Sequence, residues 1–506
     1  MTGDFTRNTF DPANHYSRVL MQQGRAMLDA DWNEQSSILL HYMRTVTADI
    51  FGPHAGPASN PGFEIIGKSF PDLDVKLTQL VPPDTKRWNT VREKISSGDA
   101  LIGPGRYYVN GILVENHTPI LYSEQPGYPF SGDPTPDQLK DGKRGVLVYL
   151  DVWERHISFE QDDRMREVAL GGPDTCSRSQ VVWQVRVLLE PPPPPGVERP
   201  VFNCKAVDKL PQSGTGRLRA RARLDKPPTE LCSIPPESRY RGAENQLYRV
   251  EVHQGGEATA DQSGATFKWS RENGSVVFPI LSLSGTTAKL GHLGRDRRST
   301  LNPGDWVEFD DERISLGQGP RVLAQVDTVA RDSMTVTLRF PDGVKSLPSY
   351  AEADIGAERP LLRRWEHRGD LTALGGALRI TEYSDTGQGW IDLEDGVQVW
   401  FAKDGQSKAQ YQAGDYWLIP ARTATGDVEW PHERDDRGDP KLDGDGNPIG
   451  TAIGPRGTHH YYAPLLLSTG PIEAPTTTDC RCAIQPLPCV RYRYAFDGKA
   501  VGGGGL

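Results

Sequence analysis

Several residue clusters in this chain carry side chains that do chemistry elsewhere, and each points to a different reaction. Asp443, Asp445 and Asn447 in "DGDGNP" alternate as the first oxygen ligands of a calcium loop do. The Gly and the bidentate Glu that complete such a loop are missing, which leaves a solvated Asp-Gly hairpin tip as the other reading. Cys480, Cys482 and Cys489 cluster near the end of the chain. With no fourth ligand nearby they make a weak zinc set, and plain thiols or a local disulfide fit as well. His459 and His460 are adjacent, so on a strand they point to opposite faces and cannot easily share one metal. Asp162–Asp163 and Asp310–Asp311 are carboxylate pairs of the kind glycoside hydrolysis uses, although acidic turns are equally ordinary. The loop "REVALGGPDTC" forces a turn at Gly171-Gly172-Pro173 and could present a ligand site or be only a tight turn. Arg217, Arg219, Arg221 and Arg223 share one face of an alternating segment, as a charged edge strand or an anion-binding face would. No nucleophile elbow, no zinc-protease helix and no phosphate loop occurs. These residues give no catalytic set, no cofactor site and no enzyme, with Asp443, Asp445 and Asn447 the only weak metal candidates.

The elements that position these residues are mostly strands. "RYYVNGILVE" carries Asn110–Gly111 between apolar runs, a strong hairpin signal, and Asn273–Gly274 suggests another. "RGVLVYLDVWERHISF" and "SQVVWQVRVLLE" are rich in Val, Leu, Ile and Trp and are expected to be core strands. The fold class is therefore mainly β: several small antiparallel β domains, sandwich or barrel-like, preceded by an N-terminal α-helical arm. The expected division is an arm over 1–60, a first β domain over 61–190 and a Pro/Arg-rich linker over 191–245. A second β domain over 246–350, a third over 351–470 and a Cys-containing, Gly-rich tail over 471–506 follow.

The arm is the exception to the β pattern. Residues 29–51 predict a helix about 34 Å long, with Asp29 as its N-cap and Asp31 and Glu34 favoured near its positive end. Trp32, Leu39 and Val46 repeat every seventh residue, and Met43 and Ile50 extend the same stripe. Before it, "FDPANHYSRVL" is a hook with Pro12 fixing a bend and Tyr16, Val19 and Leu20 as anchors. Phe10, Tyr16, Trp32, Leu39, Met43, Val46 and Ile50 are the candidate assembly interface. The stripe either packs on other chains or folds back on residues 61–190.

Composition narrows the partners. The chain has 506 residues with a net charge of −10, which argues against nucleic acid as the main partner. The 53 Gly and 41 Pro favour turns over long helices. No apolar run approaches the roughly 18 residues of a transmembrane helix, and the first residues lack the apolar core of a signal peptide. With six Cys, these features suit synthesis in the cytoplasm.

The stretch "GDFTRNTFDPANHYSRVLMQQGRAMLDADWNEQ" resembles the N-terminal signature of an uncharacterised-domain family found near genes of contractile, phage-tail-like injection systems. "YLDVWERHISF", "REVALGGPDT", "VVWQVRV", "TFKWSRENGSVV" and "GDYWLIPARTATGDVEWP" extend the match over nearly the whole chain. The opening also resembles the start of some phage baseplate and tail proteins, through Phe10, Asp11, Pro12, His15, Tyr16, Gly24, Arg25, Asn33, Glu34 and Gln35. The resemblance implies a homo-oligomeric structural protein at the baseplate, around the spike or at fibre attachment. Its partners would be copies of itself and other baseplate, spike or tail proteins, in a particle kept in the cytoplasm or released. A carbohydrate- or receptor-binding fibre module is the alternative, with Trp and Tyr between 390 and 430 stacking on sugars. A polysaccharide-active enzyme is a third.

Overall fold

The computed structural model describes residues 2–130, 132–134, 144–192, 202–223, 239–294, 296, 298–317, 321–344, 347–351, 355–384, 387–403, 405, 408–444, 446–469 and 476–485. The fold is mainly β, arranged as several sheets, and it begins with the expected helix α1, Asp29–Phe51. Two shorter helices, α2 (Leu73–Leu80) and α3 (Lys86–Ser96), were not anticipated. Thr85 caps α3 by accepting a hydrogen bond from the Trp88 amide. Leu77, Val91 and Ile95 then close a small core over Ile66, Leu101 and Leu121.

Three larger cores follow. In the first, the hairpin Gly105–Val109/Ile112–Asn116 faces the long hairpin Val146–Ile157/Arg178–Leu189, which is extended by Tyr461–Thr469. Tyr107, Val109 and Val114 meet Leu150, Val152, Val185, Ala463 and Leu465 between the sheets. In the second, Gln246–Gln254, Thr266–Ser270 and Tyr416–Arg422 face Arg217–Ala222 and Val397–Ala402. Tyr248, Val250, Phe267, Phe401 and Trp417 fill that interior. The third is a closed six-stranded barrel of Val277–Ser284, Thr287–Leu290, Thr335–Arg339, Val322–Ala330, Trp306–Asp310 and Leu361–Trp365. Phe278, Val307, Phe309 and Leu362 point into it.

The expected segments do not map one to one onto these sheets. Arg217–Ala222 lies in the expected linker, yet it pairs along its length with Val397–Ala402. Leu218, Ala220 and Ala222 are buried there, so the alternation marks a core strand. Asn110 and Gly111 both have positive φ, at 47° and 75°, and close the expected hairpin. Asn273 and Gly274 also have positive φ, but the strands they join belong to different sheets: Thr266–Ser270 pairs within the second core and Val277–Ser284 within the barrel. That turn carries the chain from sheet to barrel and closes no hairpin.

The cysteine cluster divides between a plain thiol and a long-range disulfide that no local reading offered. Cys480 is bonded to Cys204, 276 residues earlier, while Cys482 is an exposed free thiol and Cys489 lies outside the described residues. The bridge fastens Cys204–Lys209, whose Val207 packs on Leu147 and Leu467, to the strand Thr476–Asp479. Opening so long a loop matters to the unfolded chain, so Cys204→Ser is expected to cost about 2–5 kcal/mol. Denaturant midpoints of the variant and of oxidised and reduced wild type would measure it.

Candidate docking surface

The first residues are tied into the body. The Gly3 amide donates to the Asn273 carbonyl at 3.3 Å, and the Asn273 side-chain amide donates to the Gly3 carbonyl at 3.0 Å. Phe5 meets His156 edge-on with centroids 6.0 Å apart. Asp29 serves this anchorage and not the helix cap, since Leu28 takes the cap position without a side-chain bond. The Asp29 carboxylate accepts hydrogen bonds from the Thr6 amide at 2.9 Å and the Thr6 hydroxyl at 2.5 Å. Burial pushes that carboxyl up, but the bonds from Thr6 and from the amides of Ala30 and Asp29 hold it below its usual range.

The hook then runs along α1. Asp11 caps the short turn Pro12–Asn14, and His15 follows with φ at 55°. The Thr9 hydroxyl donates to Glu34 at 2.5 Å, and the Val19 amide donates to Gln35 at 2.8 Å. The Phe10 and His41 rings lie 5.8 Å apart. Glu34 and Gln35 of the signature are therefore the residues that hold the hook. Of the expected anchors, Val19 is half-buried, but Tyr16 and Leu20 are exposed at 63 % and 69 %; Phe10, named for the assembly interface, is half-buried as well.

The other end of α1 lies across the first core. Arg44 pairs with Glu154 at 2.9 Å, and its backbone sits so close over Gly111 that a Cβ there would collide with it. Phe51 reaches Tyr108, and Gly52 ends the helix with φ at 83°. At about 100° per residue, Ala30, Ser37, Arg44 and Ala48 form the side turned to the body. Trp32, Leu39, Met43, Val46 and Ile50 fall in a band about 60° wide, roughly 180° from that side. Trp32 is 69 % exposed, Met43 64 % and Ile50 66 %, whereas Ala30 is 1 % exposed. The stripe therefore does not fold back on residues 61–190. It faces solvent, and Met21, Met27, Leu28, Leu40 and Tyr42 widen the apolar surface around it. These five were missed because they fall outside the heptad positions.

The remaining candidates are held in structural bonds. Asp443 accepts from the Asn447 amide at 2.8 Å and Arg239 donates to Asn447, closing a hairpin tip, while Asp445 lies outside the described residues. His460 bonds Asp151 at 2.7 Å and stacks on Trp153. Asp162 caps the turn Asp163–Met165, and Asp311 caps the turn Glu312–Ser315 and accepts from the Tyr350 hydroxyl. Arg166 ties the 166–174 loop through Asp163 and the Gly172 carbonyl, leaving Val168 and Leu170 exposed at its tip. Arg219 pairs with Glu433, and Arg221 lies 3.8 Å over the Trp390 ring. Among the described residues, no group of three or more His, Cys, Asp or Glu is arranged to hold a metal ion. No helix among them is long and apolar enough to cross a membrane. Of the Trp and Tyr residues between 390 and 430 that a sugar-stacking surface would need exposed, Trp400, Tyr411, Tyr416, Trp417 and Trp430 are buried and Trp390 is half-buried under Arg221.

One cluster went unnoticed in the sequence. Arg249, Glu251 and His253 occupy the face of their strand opposite Tyr248, Val250 and Val252. With Lys268, Glu308 and Arg321 they form a buried ion network where the sheet meets the outside of the barrel. Charges of both signs at one parity of several apolar strands were its sequence signal.

Residues 1–192 and 195–500 match a family described as a family of unknown function, DUF6519. No curated protein and no solved structure matches the chain. With nearly its whole length matched, the chain belongs to the DUF6519 family.

Proposed function

We propose that the chain is a structural component of a contractile, phage-tail-like injection particle, docking through its N-terminal arm at the baseplate, around the spike or at fibre attachment. The observation that carries this reading is the apolar stripe of α1, turned to solvent while both ends of the arm are fastened to the body. Exposed apolar surface of this extent marks an interaction site, and the seven-residue spacing of Trp32, Leu39 and Val46 suits packing against another helix. The particle context comes from the resemblance of the N-terminal signature.

Energetics favour copies of this chain in a closed assembly. Five buried apolar side chains at about 1.5–3 kcal/mol each give roughly 8–15 kcal/mol. Bringing two proteins together costs about 4–15 kcal/mol, so a pair held by one stripe is marginal. A ring in which every copy makes two such contacts removes that weakness.

The test is the triple variant Leu39→Glu, Met43→Glu and Ile50→Glu in the full chain. Its melting temperature is expected to stay within about 2 °C of wild type, because these side chains touch solvent. Its oligomer by light scattering and its copurification with assembled particles should both be lost. A variant that assembles and copurifies like wild type would overturn the reading.

A further inference from the structure

We propose that Lys268 and Glu308 are a modification site, at which the lysine amine and the glutamate carboxyl condense into an isopeptide bond linking the sheet to the barrel. Lys268 is fully buried on Thr266–Ser270, and its Nζ contacts the Glu308 carboxylate on the barrel strand Trp306–Asp310. Glu308 faces out of the barrel, since its neighbours Val307 and Phe309 fill the interior. The two side chains therefore meet across the joint, and neither reaches water.

The surroundings divide the roles. Glu251 lies 3.2 Å from Lys268 Nζ and is held as a carboxylate by Arg249 at 2.6 Å and Arg321 at 3.0 Å. It is a fixed base beside the amine. Glu308 has Lys268 as its close partner, while His253 Nδ1 stands 3.9 Å away, beyond hydrogen-bond reach. The Trp365 ring covers the amine, with Nζ 4.3 Å from its centroid. Burial also pulls the Lys268 amine below its usual range, towards the neutral nucleophile.

The chemistry balances without an oxidant or any other reactant. Glu251 first passes one proton from the Lys268 ammonium to the Glu308 carboxylate, the freed Nζ lone pair adds to the carbon of the resulting carboxyl group, and one carbon–oxygen bond breaks. Two of the three ammonium protons, ferried by Glu251, leave with that oxygen as water. A buried cation and a buried anion become one neutral amide, which removes the desolvation penalty of both. Glu251 keeps its charge and its two arginines.

Intact mass spectrometry of the reduced, denatured full chain tests this directly. Wild type is expected to be lighter than its sequence by one water, and a digest should give a branched peptide joining Lys268 to Glu308. Glu308→Ala should restore the full mass. Glu251→Gln, which keeps the shape but not the base, should leave most of the chain uncondensed. If a variant fails to fold, the wild-type mass alone decides. A full-mass wild type, separate unmodified Lys268 and Glu308 peptides, or a lost water that maps elsewhere would each overturn the proposal.

Discussion

Replacing Glu251 with alanine is expected to destabilise the protein by about 3–5 kcal/mol, among the largest effects of any single side chain here. Glu251 is 3 % exposed and stands within 3.2 Å of Arg249, Lys268 and Arg321, of which the two arginines stay cationic whether or not Lys268 is condensed with Glu308. Burial pushes its carboxyl up, but Lys268, Arg249 and Arg321 outweigh that and hold it well below the usual carboxylate range. Removing it takes the carboxylate from the buried Arg249, while Lys268 keeps Glu308 and Arg321 is partly exposed, and weakening the pairing of a buried charge costs far more than the pair contributed. Arg249 loses its carboxylate partner at 2.6 Å, although its stacking on Tyr416, at 3.6 Å, and a bond to Asn273 at 3.2 Å remain. Urea unfolding of Glu251→Ala and Glu251→Gln would measure this, with Glu257→Ala as a surface control expected to leave the midpoint unchanged. A loss below about 1 kcal/mol would show that the joint opens to water and lacks the dry character on which the figure rests.

That joint also shows where sequence reasoning stops. Local signals were legible because their physics is local. Asn110–Gly111 needs two positive φ values, and the stripe on α1 follows from the helical period alone. Pairings between distant segments were not legible. Tyr461–Thr469 lies beside Val146–Ile157, and Cys204 finds Cys480, because the folded sheets bring them together and no short-range pattern announces it. The arginine segment does form an edge strand among the described strands, with Val397–Ala402 as its strand partner, but its surroundings were not legible. Its charged face reads as solvated until Trp390 and Trp400 cover Arg221 and Arg219. For the candidate site, the stripe's residues could be named from spacing, but not its direction. Ala30, Ser37 and Ala48 turn to the body because small side chains let the helix lie close there, and Ile38 is buried beside them, while Trp32, Leu39, Met43 and Ile50 stay outside. Asp29 was assigned the cap its type prefers, yet the Thr6 hydroxyl and amide compete for the same carboxylate and win.

Acid is expected to loosen the protein through three buried histidines. Burial lowers His156 to about 3, with Arg363 and Arg249 adding to it. Burial and then Lys268 lower His253 to about 3, although Glu308 pulls the other way. Burial lowers His367 to about 4, against the bond its Nε2 makes to the Gly376 carbonyl at 3.0 Å. An ordinary imidazole takes its proton near 6.5. Below that pH the unfolded chain binds protons that the folded chain refuses, so stability falls as pH drops from about 6.5 towards 3–4. At about 1.36 kcal/mol per pH unit, each histidine has cost about 2–3 kcal/mol by pH 4.5. Glu272 opposes this: burial and the neighbouring Glu366 raise it to about 7, so the native state gains a proton between pH 7 and 4.5. Comparing variants with wild type separates the two. His253→Gln and His367→Gln keep a neutral side chain at every pH, so each should narrow the gap in melting temperature between pH 7.5 and pH 5. Glu272→Gln should widen it, because it removes the group that acid favours. Equal gaps in all four proteins would mean that these imidazoles already protonate in the folded state, which burial beside Lys268 and Arg321 forbids for His253.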